Sequence, residues 1–70
     1  MAMAVSKELR VYRALRRVGS LTASELAVWV GMDVAEVRVH LSRLRRAGEV
    51  RVARRVKVSK YCWQYVWRAA

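Results

Sequence analysis

Seventy residues make a single domain, 1–70, with little core to spare: a chain this short buries only about 60% of the surface its unfolded form exposes. A formal charge of +10 and a pI near 11.4 exceed what solubility needs and call for an anionic partner, of which nucleic acid is the commonest for a small domain. No apolar run approaches the ~20 residues that span a bilayer, and the lone Cys62 cannot form an internal disulfide, so membrane-spanning proteins and disulfide scaffolds are both excluded.

The N-terminal MAMAV runs straight into the charged SKELR, unlike a signal peptide. A single unpaired cysteine suits a reducing compartment. A soluble, cytoplasmic protein without a membrane partner is therefore expected. Helix one is expected from Ser6, as N-cap, to Val18, with Gly19 as its stop. Val11, Leu15 and Val18 fall on one stripe at helical spacing. Val5, Leu9 and Tyr12 form a second stripe roughly 100° around the axis, at 3.6 residues per turn. A helix that is apolar on two sides is either wedged inside its domain or shared with a second subunit. Val5, Leu9 and Tyr12 are thus candidates for a homodimer contact.

Ser20-Leu21 reads as a short strand. Thr22 with Glu25 fits a capping box: the hydroxyl accepts an orphan backbone N–H and the carboxylate reaches back. It opens helix two, Ala23–Val30, with Leu26 and Val30 inward. Gly31 can take the positive φ of a tight turn. Eleven residues after Thr22, Asp33 repeats the cap, with Glu36 at the same spacing. Helix three is expected over Val34–Ala47, with Val34, Val37, Leu41 and Leu44 as its buried stripe and Gly48 as its terminator. Two short helices joined in this way, the second of them basic, read as a helix-turn-helix.

At 100° per residue, the side of helix three opposite that stripe carries Ala35, Val39, Ser42, Arg43 and Arg46, with Arg38 on its flank. A helix entering the major groove must donate to guanine O6/N7, touch thymine methyls and permit close approach. Arg38 and Arg43 suit the first task, Val39 the second, Ala35 and Ser42 the third. Arg45 and Arg46, near the C-terminal end, suit phosphates. The alternative is a solvated face, which leaves an outward Val39 without a purpose. Glu36 either serves the cap and points away, or accepts from cytosine N4. Twelve of the 15 cations are arginine, whose fork fits phosphate and guanine edges.

After Gly48 the period changes from helical to alternating. Val50 and Val52 alternate with Arg51 and Ala53, which marks a strand. Arg54 to Lys60 is expected to contain the hairpin tip, without a Gly, Asn or Pro to reveal its turn type. Tyr61 to Trp67 is the return strand, with Tyr61, Trp63, Tyr65 and Trp67 on one face and Cys62, Gln64 and Val66 on the other. The aromatics read first as bulky filler closing a small core. A stacking platform for single-stranded nucleic acid is the alternative, and Trp67 is also a candidate for the subunit interface. His40, the only histidine, sits at the edge of the buried stripe as a packing or rim residue. One His and one Cys twenty-two residues apart make no zinc site, and the three glycines form no phosphate loop. No enzymatic activity, cofactor, metal or small-molecule substrate is expected.

The residues Leu21-Thr22, Glu25-Leu26-Ala27, Gly31, Val37, Leu41, Leu44 and Ala47-Gly48-Glu49-Val50 carry a family likeness. The chain resembles the winged helix-turn-helix domains of the broad group of MarR-like and ArsR-like transcription regulators, over about residues 20–67. That resemblance implies an α+β fold of three helices with a small antiparallel sheet whose hairpin is the wing. It also implies that Arg54, Arg55, Lys57 and Lys60 of the wing lie along the DNA backbone or enter the minor groove, where arginine is favoured. A charged edge also discourages strand pairing between molecules. The leading expectation is a sequence-specific regulator that binds double-stranded DNA as a homodimer. A protein- or RNA-docking assembly module and a sequence-indifferent DNA-coating protein are the alternatives, because fold does not fix function.

Overall fold

Three polar side chains set where the helices begin. Ser6 accepts from the Leu9 N–H, Thr22 from Glu25 and Asp33 from Ala35, satisfying donors that a helix start leaves free. In this computed structural model, which describes residues 6–70, they open α1 (Lys7–Val18), α2 (Ala23–Val30) and α3 (Val34–Arg46). Only Thr22 completes a capping box, its own N–H donating to Glu25 Oε1 at 2.8 Å. The same spacing at Asp33 and Glu36 does not. The Glu36 carboxylate turns instead to α1 and accepts from Lys7 Nζ at 2.9 Å, a charge-assisted bond stronger than one from a backbone N–H.

The end of α3 is closed by two bonds, Gly48 N–H to the Arg45 carbonyl and Glu49 N–H to the Leu44 carbonyl. This Schellman pairing requires a left-handed residue, and Gly48 takes it with φ +77°. The chain then reverses into the sheet.

The core follows the helical spacing. Val11 and Leu15 of α1, Leu26 and Val30 of α2, and Val37, Leu41 and Leu44 of α3 are buried together with Leu21 and Val50 from the sheet. Each such side chain stabilises the fold by about 1.5–3 kcal/mol relative to exposure. Val18, expected on the inward stripe of α1, is exposed, because Gly19 ends the helix and turns the chain away at that turn. Val34 is only half-buried at the start of α3. Val5 lies outside the described residues.

Three antiparallel strands, β1 (Ser20–Thr22), β2 (Val50–Ser59) and β3 (Cys62–Ala69), form one sheet in the order β1-β3-β2. β1 pairs only with Val66 to Arg68. Beyond that point β2 and β3 continue as a bare two-stranded ribbon, Arg55–Ser59 against Cys62–Tyr65, roughly 15 Å long at about 3.3 Å per residue. The tip is therefore not within Arg54–Lys57. Those residues lie on β2, and the turn is Lys60-Tyr61. Alternation of Val52, Val56 and Val58 with cations keeps the chain extended past the expected turn. No non-glycine residue described has a positive φ, so this turn is not one of the primed types that suit a two-residue hairpin. One-residue bulges at Ala53 and Val58 add the local twist instead. No helix among the described residues is long and apolar enough to cross a membrane.

Candidate nucleic-acid interface

Burying Val37, Leu41 and Leu44 fixes the roll of α3 and so decides which side chains it shows. Ala35, Arg38, Val39, Ser42, Arg43, Arg45 and Arg46 are all exposed. Val39 keeps half its surface (50%) in solvent among these arginines. The helix thus presents donors, one apolar contact and two small residues on a single outward arc. That is the mixture a base edge and its flanking phosphates require.

One flank of this arc is bound to α1 by charge. Besides the Lys7–Glu36 bond, His40 Nδ1 lies 3.2 Å from Glu8 Oε1, and the same oxygen is 3.9 Å from Arg43 Nη1. His40 is packed at this seam, with its Nε2 buried, without a hydrogen bond and 3.9 Å from Glu36 Oε2. The Lys7 hydrogen bond holds the Glu36 carboxyl below its usual value. Glu36 and Glu8 are thereby engaged at the α1–α3 seam, Glu36 with Lys7 and Glu8 with His40 and, at 3.9 Å, with Arg43 of the arc itself.

The other flank meets the sheet. Directly paired residues share a face, so the pairs Leu21–Trp67, Val52–Trp67, Arg55–Tyr65 and Lys57–Trp63 place the aromatics with Leu21 on the side that covers the helices. Only Trp67 reaches the core, where it is half-buried. Tyr65 and Trp63 on the ribbon and Tyr61 in its turn stay 47%, 52% and 87% exposed. Core filling therefore explains Trp67 and fails for the other three, because the hairpin is far longer than β1. The overhang meets α3 in a groove of about 330 Å³ lined by Ala23, Arg38, Trp63, Gln64, Tyr65 and Trp67.

Cations accompany the ribbon. Arg55 and Lys57 lie 5.1 and 5.8 Å from the Trp63 ring centroid, and Lys60 lies 5.5 Å from that of Tyr61. Arg54, Arg55, Lys57 and Lys60 are all exposed. Leu9 is exposed on α1 and borders a separate groove with Tyr12, Leu44 and Glu49. Tyr12 is half-buried and accepts from Arg16 Nη1 at 3.1 Å, which raises the Arg16 pKa above its usual value. Trp67 lines the aromatic groove and, like Tyr12, packs against the core. Among the described residues no three His, Cys, Asp or Glu side chains gather into a metal site.

A family model described as bacterial regulatory protein, arsR family, matches residues 6–52, from the cap of α1 into β2. The chain belongs to the arsR family. No curated protein sequence matches this arsR-family chain significantly. Among solved structures, the Zalpha domain of PKZ from Carassius auratus, crystallised in complex with Z-DNA, superposes with TM-score 0.71 and 27% identity over 90% of both chains. NadR in complex with 4-hydroxyphenylacetate gives 0.70 and 24% over 93% of this chain, which supports the fold alone. The transcriptional regulator PA4135 gives 0.68 and 26% over 90% of this chain. This chain spans less than half the length of those last two, 45% and 44%. The α+β architecture of three helices and a hairpin wing is that of winged-helix regulators.

Proposed function

We propose that this arsR-family protein is a sequence-specific transcription regulator that binds double-stranded DNA as a homodimer. Helix α3 lies in the major groove, with Arg38 and Arg43 toward guanine edges, Val39 toward thymine methyls, and Ala35 and Ser42 allowing close approach. Arg45, Arg46 and the wing cations Arg54, Arg55, Lys57 and Lys60 contact phosphates or the minor groove. The single observation that carries this reading is the outward arc of α3, cationic and exposed, while Glu36 at its edge is held by Lys7 of α1. The Z-DNA complex of the goldfish domain supports a duplex partner. Exposed Leu9 beside half-buried Tyr12 supports a subunit contact through α1, which would supply apolar burial that so small a core lacks. The protein would act where DNA is, in the cytoplasm, and carry out no catalysis.

Two measurements test this. Sedimentation of the free protein reports the dimer. Selection of retained genomic fragments at moderate salt should enrich a near-palindrome with half-sites about 10 bp, or a multiple of that, apart. Absence of any duplex affinity at low salt would reject the reading, since counterion release makes binding strongest there.

A further inference from the structure

We infer that the ribbon face bearing Trp63 and Tyr65 is a stacking site for unpaired nucleobases, so that the protein takes up single-stranded nucleic acid on a surface that adjoins the duplex-reading arc proposed above and shares Arg38, Arg55 and Lys57 with it. Three aromatic rings in succession, Tyr61, Trp63 and Tyr65, stay about half or more exposed on one hairpin. Exposed aromatic area on so small a protein marks a contact surface.

The charge around the rings selects the occupant. From Val50 to Ala70 the chain holds Arg51, Arg54, Arg55, Lys57, Lys60 and Arg68 and not one Asp or Glu. A second copy of this chain, itself at +10, would bring cations against cations there. A polyanion with flat faces has the opposite effect: its bases stack on the rings while its phosphates meet Arg55, Lys57 and Arg38. Paired bases keep their faces inside the duplex, so stacking of this kind requires unpaired ones. The groove between the ribbon and α3, about 330 Å³ with Arg38 on one wall and Trp63, Tyr65 and Trp67 on the other, is of a size to admit a base.

The test compares two labelled oligomers with equal numbers of phosphates, oligothymidylate of about twelve nucleotides and its abasic analogue, a length within the ~4–16 nucleotides of small single-strand sites. Fluorescence anisotropy with the whole protein should show the abasic strand binding at least about tenfold more weakly, the scale of one lost stacking contact. Trp63→Ala should remove most of that difference and Trp63→Phe, which keeps a π-face, should preserve it. Equal affinity for the two strands would overturn the inference, as would a Trp63→Phe loss equal to that of Trp63→Ala. So would a shift from dimer to monomer on Trp63→Ala, which would make the strip a contact between copies. The effect of Arg43→Ala on duplex affinity, followed in parallel, reports on α3 at a residue outside the groove, so either reading can fail without the other.

Discussion

Arg45 holds its guanidinium over the Trp67 ring, 6.0 Å from the centroid, and so ties the last turn of α3 to the middle strand. Sequence spacing assigns these residues to different surfaces, Arg45 to phosphates and Trp67 to a subunit contact, yet they are each other's neighbour. Arg45→Ala should therefore cost stability as well as DNA affinity, about 0.5–1 kcal/mol for an exposed cation–π contact. In a domain of this size that lowers Tm by about 2–8 °C. Arg46→Ala, with no cation–π partner among the described residues, should leave Tm nearly unchanged while still weakening DNA binding. Thermal unfolding by circular dichroism separates the two.

Arg43 and Arg55 should fail in different ways. Arg43 stands on the outward arc of α3, held only loosely by Glu8 at 3.9 Å. Arg43→Ala should relax base preference at one position of each half-site by about 1–3 kcal/mol. Arg55→Ala should weaken all sequences alike and reduce the salt slope by about one. Affinities for a target duplex and its point variants, each measured across a salt series, check both outcomes. Loss of discrimination from Arg55→Ala would place the wing, not α3, at the bases.

The helices were legible because their signals are local. Ser6, Thr22 and Asp33 cap within three residues, Gly48 closes α3 through bonds to Leu44 and Arg45, and the stripe Val37, Leu41, Leu44 fixes the roll. What failed depends on partners distant in sequence. Glu36 left its expected cap because Lys7, twenty-nine residues away, offered a charged donor. The turn at Lys60-Tyr61 carries no turn residue, so strand alternation hid it. The exposure of Trp63 and Tyr65 follows from the shortness of β1, which stops at Thr22 and leaves the ribbon uncovered. A hairpin that outruns its third strand was the available sign.

Leu41 lies fully buried at the centre of the core. Leu41→Ala should cost about 2–5 kcal/mol through lost burial and a residual cavity. Total stability for 70 residues is roughly 3.5–10 kcal/mol at about 0.05–0.15 kcal/mol per residue. The variant should therefore lose a large fraction of that stability, from about a fifth upward, and its urea midpoint should fall in proportion. Val28→Ala, on the exposed side of α2, should stay within about 0.5 kcal/mol of the parent. Urea titration of the two variants reads the contrast.

The Lys7–Glu36 bond makes stability depend on acid. Glu36 sits in the first turn of α3, where a negative charge also favours the helix end. The hydrogen bond from Lys7, opposed by some desolvation, lowers its pKa below the ordinary 4.5. A folded-state value below the unfolded one adds stability that is fully present above about pH 4.5 and disappears as pH falls through the folded value. Glu36→Gln should then melt below the parent at neutral pH, and the gap should close once the carboxylate is protonated. Because the pair is exposed, the gap should be small and should shrink further in high salt. Lys7→Met should reproduce much of the loss while leaving the helix-end charge in place. Melting curves for the three proteins across acidic to neutral pH decide it: a gap that stays constant through the carboxylate range would mean that Glu36 acts by packing and not by charge.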